Sequence, residues 1–234
     1  MSAHSAVFSF SGHNYGLGES VVNGITASLL AGHGQMAQRA CVLSGSMGAP
    51  AALRRFFQSF DAVPPVVFIV LLPVSPDAIP LVCDFIARNT SMRVLPALSG
   101  HVFSHGEIVV VPSNRKFTID DNSIQLVNRM DDACNPIDET MVSLSRYFRQ
   151  YLGAIIFSGL GEDGRKGCSA ILKGGGEVWT QSVDSCLFGS LPRSVSEACA
   201  IKYSATPESL AVRLQSELRV IRRHQMSKVP LVTA

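Results

Sequence analysis

The chain has 234 residues, of which 47% are hydrophobic and 16% are charged, and its formal net charge is +2. This length suits one α/β domain or a domain with appendages, and the hydrophobic fraction predicts a large core. The small net charge gives no indication of a nucleic-acid or membrane-surface partner.

Cysteine usage and hydropathy indicate a cytoplasmic protein. Six cysteines are scattered singly, and because none forms a C-x-x-C pair we expect no metal site. We expect no cofactor either. Isolated cysteines in apolar runs are typical of reduced, buried thiols in a cytosolic protein. We recognise no signal peptide. The longest apolar run, residues 63–74, contains three prolines and is too short to insert into a membrane.

The beginning of the chain differs from its middle. Residues 1–38 are rich in glycine, serine, alanine and histidine and nearly free of charge. This composition predicts a flexible N-terminal arm or linker. We expect the folded domain over residues 39–224 and a C-terminal tail over residues 225–234.

The middle of the chain alternates strand and helix patterns. In chain order we predict a strand at 41–43, a helix at 50–60, a strand at 66–72, a helix at 76–89 and a short strand at 93–96. Three short runs at 107–111, 116–120 and 123–127, joined by turn residues, predict an antiparallel meander. The remaining predicted elements are a helix at 135–151, a strand at 153–158, a helix at 165–173, a strand at 177–180, a helix at 192–200, an edge strand at 202–204 and a helix at 207–223.

This alternation predicts an α/β fold with a doubly wound, mostly parallel sheet, helices on both faces, and a small antiparallel meander or hairpin. Such sheets place their sites at the carboxyl ends of the strands. Two turns at those ends, residues 44–48 and residues 158–164, hold the candidate chemistry.

The first turn presents Ser46 between two glycines, in the run ACVLSGSMGAPAAL. Glycine permits the backbone angles of a tight strand-to-helix turn, so the Ser46 hydroxyl is expected at the carboxyl end of a strand. Backbone N–H groups at the following helix start can stabilise an oxyanion. This is the logic of a nucleophile elbow. A plain turn of small residues is the alternative interpretation.

The second turn, SGLGEDG, contains Asp163 just before a predicted helix. A carboxylate in this position can cap the helix that follows. It can also orient a histidine as the third member of a nucleophile–base–acid triad. The sequence leaves both interpretations open.

Five segments together resemble the CheB-type protein-glutamate methylesterases. VLSGSMGAPAAL resembles their G-A-S-x-G-G nucleophile segment, and SGLGEDGRKG resembles their T-G-M-G-x-D-G segment. GEIVVVPSNRKF is similar to their G-x-x-Y-I-A-P-x-x-x-H hairpin, CNPIDETM to R-P-S-V-D, and SCLFGSLPR to F-G-M-P-x-x-A with one extra residue. The matches run in order from about residue 40 to residue 214.

The family hydrolyses glutamate methyl esters on chemoreceptor signalling helices, and many members also deamidate glutamines. The resemblance implies that Ser46 is the nucleophile and Asp163 the acid, with oxyanion stabilisation from backbone N–H groups near Met47 and Leu160. The family's histidine lies in a Q-H-M-P-type motif at the end of the second strand, where this chain has VLLP and Leu71 stands at the histidine position.

Leucine cannot remove the proton of a serine hydroxyl, so the resemblance implies a site without its usual base. His101 and His105, in the loop before the meander, are candidates for a displaced base, because a triad is defined by geometry and not by chain order.

Three functional hypotheses follow. The first is a degenerate CheB-like protein, inactive or weakly active, that binds chemoreceptor helices or other chemosensory proteins. The second is an active protein-glutamate methylesterase and glutamine deamidase that uses Ser46 with a displaced histidine. The third is an α/β module that binds a small anion through its glycine-rich turns, although neither turn has a P-loop or dinucleotide fingerprint.

Overall fold

The computed structural model describes residues 36–128 and 135–226, with side chains up to residue 221. The strands are β1 (Ala40–Ser44), β2 (Val67–Leu71), β3 (Arg93–Pro96), β4 (Glu107–Val111), β5 (Arg115–Asp120), β6 (Ser123–Asn128), β7 (Leu152–Ile156), β8 (Glu177–Gln181) and β9 (Tyr203–Ala205). The α-helices of these residues are α1 (Ala49–Gln58), α2 (Ile79–Ala87), α3 (Pro136–Phe148), α4 (Arg165–Lys173), α5 (Ser190–Ala198) and α6 (Pro207–Met226).

Seven strands form one sheet in the order β3-β4-β2-β1-β7-β8-β9, and every pair in it is parallel. From β1 the chain forms β2 and then the outermost strand β3, and β4 lies between these two. The chain then returns to form β7, β8 and β9 outward on the other side of β1. The strand order therefore reverses between β1 and β7, and in open α/β sheets the crevice at such a point is where ligands bind. The predicted α/β fold is confirmed.

Both faces of the sheet are covered, because side chains alternate along each strand. One apolar cluster contains Val42 and Ile156 together with residues of α3, α4 and α5. The opposite cluster contains Leu43 with residues of α1, α2 and α6. In that second cluster Phe56 makes edge-on ring contacts with Phe57, Phe60, Phe68 and Phe157 at centroid distances of 5.2–5.9 Å. Helix α1, which follows the Ser46 turn, is thereby fixed against the sheet.

The predicted three-stranded meander is wrong in its first strand. Strand β4 is buried along its whole length and pairs in parallel with β2 and β3, so only β5 and β6 form an antiparallel hairpin. A continuous apolar run such as IVVV suits a strand buried on both faces. The hairpin turns at Asp121 and Asn122, whose φ angles of 45° and 62° are those of a type I′ turn.

The last residues of the predicted arm belong to the described domain. Met36 forms an antiparallel bridge with Ser104, and the Ala37 N–H donates to the carbonyl of Phe103 at 2.8 Å. Residues 1–35 of the predicted arm and residues 227–234 of the predicted tail lie outside the described residues. None of the described helices is both long and apolar enough to cross a membrane.

Candidate active site

The turns after β1 and β7 meet at the carboxyl edge of the sheet. The Ser46 N–H donates to the carbonyl of Ser158 at 3.1 Å, and the Leu160 N–H donates to Ser46 Oγ at 2.8 Å. A Cβ atom on Gly159 would stand 2.6 Å from Ser46 Oγ and 2.9 Å from its amide nitrogen. Glycine at position 159 is therefore what allows the two turns to approach so closely.

The Ser46 turn differs from a strained nucleophile elbow. The left-handed backbone lies at Gly48, with φ 83°, whereas the described non-glycine residues with positive φ do not include Ser46. Gly45 is required for a different reason, since a Cβ there would lie 2.6 Å from Ala49 Cβ. The turn thus leaves the Ser46 hydroxyl half-buried without backbone strain at the serine itself.

The Ser46 hydroxyl bonds to both backbone groups of Leu160. It accepts from the Leu160 N–H at 2.8 Å and donates to the Leu160 carbonyl at 3.3 Å. The N–H predicted to stabilise an oxyanion therefore points at the hydroxyl of the predicted nucleophile, and an acyl oxygen would have to share or replace this contact. The corresponding role of the Met47 N–H remains a prediction.

Asp163 caps a helix, but not the one that was predicted. Its carboxylate accepts from the N–H groups of Ile137 at 3.2 Å and Asp138 at 2.9 Å, at the start of α3. In the other direction, Asp138 Oδ1 accepts from the N–H groups of Gly164 at 3.0 Å and Gly167 at 2.7 Å, at the start of α4. The two carboxylates cap each other's helices crosswise, and a triad role for Asp163 remains a prediction.

Leu71, which the sequence resemblance predicts to stand at the histidine position, is buried. It is the last residue of β2, only 3% exposed, and pairs in register with Ser44 on one side and Val111 on the other. It belongs to the apolar cluster that also contains Ile137, at the start of α3. Beside it, the buried Ser44 hydroxyl has no hydrogen-bond partner among the described residues. The position therefore contributes apolar packing and no proton acceptor.

The structure does not bring His101 or His105 to Ser46. His101 Nε2 lies 2.7 Å from Glu107 Oε1, and Glu107 is the first residue of β4. The four steps from Glu107 to Val111, which is level with Leu71, span about 13 Å at roughly 3.3 Å per residue. His101 therefore lies at the amino edge of the sheet, opposite the Ser46 turn.

His105 lies at the same amino edge, two residues before β4, and its buried Nδ1 has no hydrogen-bond partner among the described residues. Burial lowers the pKa of His105, which favours the neutral imidazole. Burial alone would raise the pKa of Glu107, but hydrogen bonds from His101, the Ser104 N–H and Arg93 outweigh it and hold the pKa below its ordinary value. These groups form a structural cluster away from the candidate site.

Two features of the site were not predicted from the sequence. The first is the Ser158 hydroxyl, which connects the Ser46 turn to the loop at residues 182–189. The sequence signal that could have indicated it is a polar residue at the end of a buried strand. The second feature is an apolar rim formed by the side chains of Met47, Leu160 and Leu187, which are 57%, 50% and 74% exposed. Within the described part of the chain, no group of three His, Cys, Asp or Glu side chains is arranged to hold a metal ion.

Comparison with known proteins gives a consistent result. The sequence profile of the CheB methylesterase family matches residues 41–214. The chain is 24% identical over 189 residues to a protein-glutamate methylesterase/protein-glutamine glutaminase of Clostridium acetobutylicum, covering 79% of this chain and 54% of that protein. It is 26% identical over 184 residues to a protein of the same description from Myxococcus xanthus, covering 76% and 53%.

A solved structure is similar as well. The Thermotoga maritima CheB methylesterase catalytic domain superposes with a TM-score of 0.70 at 19% identity, over 76% of this chain and 98% of that domain. At this identity the likeness concerns the fold. The chain spans about half the length of the curated relatives it matches. On the extent of the profile match, the chain belongs to the CheB methylesterase family.

Proposed function

We propose that this chain is a degenerate member of the family, which binds a chemosensory partner at the Ser46 turn and hydrolyses it weakly or not at all. The observation that carries the proposal is Leu71, buried at 3% exposure where the family pattern has its histidine. Without a base, the Ser46 hydroxyl keeps its proton at neutral pH. Losing one member of a triad costs several orders of magnitude in rate.

The retained features support binding. The contact between Ser46 Oγ and the Leu160 N–H keeps a hydrogen-bond donor beside the nucleophile position. The apolar rim of Met47, Leu160 and Leu187 surrounds that donor with exposed apolar surface, which is typical of an interaction site. The partner that we propose is a chemoreceptor cytoplasmic helix or another chemosensory protein, which places the chain in the cytoplasm.

The same contact supports a second candidate, an active methylesterase and deamidase. A donor 2.8 Å from the Ser46 hydroxyl lies close to where an oxyanion would form. This candidate requires a base other than His101 and His105, whose contacts are at the opposite edge of the sheet. The release of methanol from a methylated receptor separates the two candidates.

Binding is tested with a cytoplasmic chemoreceptor fragment and isothermal titration calorimetry. We expect saturable binding by the wild-type protein and weaker binding by Leu160→Glu, because a charge on the rim must be desolvated on contact. Val212→Glu, which alters an exposed apolar residue of α6 outside the two turns, is the matched control. A wild-type protein that does not bind the fragment, or a Leu160→Glu variant that binds as Val212→Glu does, would contradict the proposal.

A further inference from the structure

Ser158, which lies two residues after β7, is 1% exposed and uses its hydroxyl to connect two loops. The hydroxyl donates to the Met47 carbonyl at 2.9 Å and accepts from the Phe188 N–H at 2.9 Å. It also lies 3.2 Å from the Phe188 carbonyl. Met47 directly follows the candidate nucleophile, and Phe188 lies in the loop at residues 182–189. One buried hydroxyl therefore joins both sides of the site.

The backbone of Ser158 makes the same connection. Its carbonyl accepts from the Ser46 N–H at 3.1 Å, and its N–H donates to Gln181 Oε1 at 3.0 Å. The Gln181 amide in turn donates to the Ser185 carbonyl at 2.8 Å. The Ser46 turn, the end of β8 and the loop at residues 182–189 are thus bonded to one residue.

The fit between Ser158 and the Ser46 turn is also steric. A Cβ atom on Gly48 would lie 2.5 Å from Ser158 Oγ, so the hydroxyl occupies space that only glycine leaves open. The left-handed φ of 83° at Gly48 independently favours glycine. The shape of the turn and the position of the hydroxyl therefore depend on each other.

We propose that Ser158 is a positioning residue, which holds the Ser46 hydroxyl against the Leu160 N–H by fixing the Met47 carbonyl and the Phe188 N–H. It acts through these neighbours and does not itself contact a bound partner. Deleting its hydroxyl leaves the Met47 carbonyl and the Phe188 N–H without this partner in two part-buried contacts, and removing one partner of a hydrogen bond costs more than removing both. The effect on partner binding rests on the proposed function. The geometric part, that Ser158 holds the Ser46 hydroxyl against the Leu160 N–H, does not depend on what the site binds.

Amide hydrogen exchange tests the geometric part. The Ser46 N–H donates to the backbone carbonyl of Ser158 and not to its side chain. If Ser158→Ala removed only the hydroxyl's own hydrogen bonds, amide exchange would therefore become faster only at Phe188. A positioning role predicts that exchange at Ser46 and Leu160 also becomes about tenfold faster. Ile137, bonded to Asp163, reports the behaviour of the rest of the domain.

Two further variants complete this experiment. Ser194→Ala removes a buried hydroxyl that has no hydrogen-bond partner among the described residues, and we expect wild-type exchange. Ser158→Thr retains the hydroxyl, and we expect exchange within about threefold of wild type. Unchanged exchange at Ser46 in Ser158→Ala, or equal acceleration at Ser46 and Ile137, overturns the inference. If Ser158→Ala does not fold, Ser158→Cys has a similar volume and a weaker hydrogen-bonding group, and the same criteria apply.

Binding of the chemoreceptor fragment provides the second readout. We expect Ser158→Ala to bind at least tenfold more weakly than wild type, with Ser158→Thr restoring most of the affinity and Ser194→Ala unchanged. A wild-type protein that fails to bind contradicts the proposed function, while the exchange result still decides the role of Ser158. Wild-type affinity in Ser158→Ala contradicts the positioning role, while the proposed function stands.

Discussion

Asp163 contributes to the stability of the domain through its cap on helix α3, whatever its role in catalysis. Its carboxylate accepts from the N–H groups of Ile137 and Asp138, which have no partner within α3 because they lie in its first turn. Loss of such a cap costs about 1 kcal/mol. Loss of a negative charge at a helix N-terminus adds about 0.5 kcal/mol. We therefore expect Asp163→Ala to lower the free energy of unfolding by about 1.5–2 kcal/mol.

Thermal and urea unfolding, followed by circular dichroism, measure this effect. For a domain of this size the loss corresponds to a fall in Tm of roughly 3–8 °C. Asp163→Asn retains one acceptor oxygen, so its loss should be about half as large. Stability within about 0.3 kcal/mol of wild type in Asp163→Ala would refute the capping argument, because a change of this size is typical of a surface residue without such a role.

The reciprocal carboxylate provides a matched comparison. Asp138 is 5% exposed and accepts from Gly164 and Gly167, so Asp138→Ala should cost about 2–3 kcal/mol. Because both carboxylates hold the same contact between α3 and α4, the double variant should lose less than the sum of the single losses, by at least about 0.5 kcal/mol. Strict additivity would show that the two caps act independently.

Three further predictions follow from the site and the opposite edge of the sheet. Gly159→Ala places a Cβ 2.6 Å from Ser46 Oγ, so we expect a loss of about 1–3 kcal/mol in unfolding free energy and an altered Ser46 environment by NMR; wild-type stability would contradict the close approach. Leu71→His introduces an imidazole beside the Ser44 hydroxyl, which has no hydrogen-bond partner in the described part of the chain, and methanol release should rise above that of the same variant with Ser46→Ala. Equal release from both would show that the turn lacks more than a base. The pKa of Glu107 is lowered in the folded protein, so its carboxylate stabilises the fold at pH values above the pKa that Glu107 has in the unfolded chain. This stabilisation is lost as the pH falls through the pKa of Glu107 in the folded protein. Glu107→Gln should therefore cost about 2–3 kcal/mol at pH 7 and progressively less below pH 4.5, and a cost independent of pH would contradict this assignment.

The fold could be predicted because alternating strand and helix patterns leave few arrangements. The turns that hold Ser46 and Asp163 were recognisable from their glycines and from their positions after buried strands. Strand β4 was assigned to the wrong sheet, because a short apolar run does not reveal its neighbours. The hairpin formed by β5 and β6 was correct, since Asp-Asn at its turn is a local signal.

Within the site, local signals were sufficient to place the Ser46 turn and insufficient to predict which helix Asp163 caps. Asp163 precedes α4 in sequence but caps α3, because the tertiary packing of the two helices brings the start of α3 within its reach. His101 and His105 could not be excluded from the sequence, since a loop between β3 and β4 can lie at either edge until the direction of β4 is known. The connections made by Ser158 depend on three loops that are distant in sequence, and no spacing rule predicts them.

The most direct test of the proposed function is methanol release from a methylated chemoreceptor fragment by the wild-type protein and by Ser46→Ala, measured over the same hours at the same protein concentration. We predict equal release from the two proteins, or at most a small excess for wild type, because in the proposed function Leu71 leaves the Ser46 hydroxyl without a base. Rapid turnover by wild type that is abolished in Ser46→Ala would contradict it and would show that a base reaches Ser46.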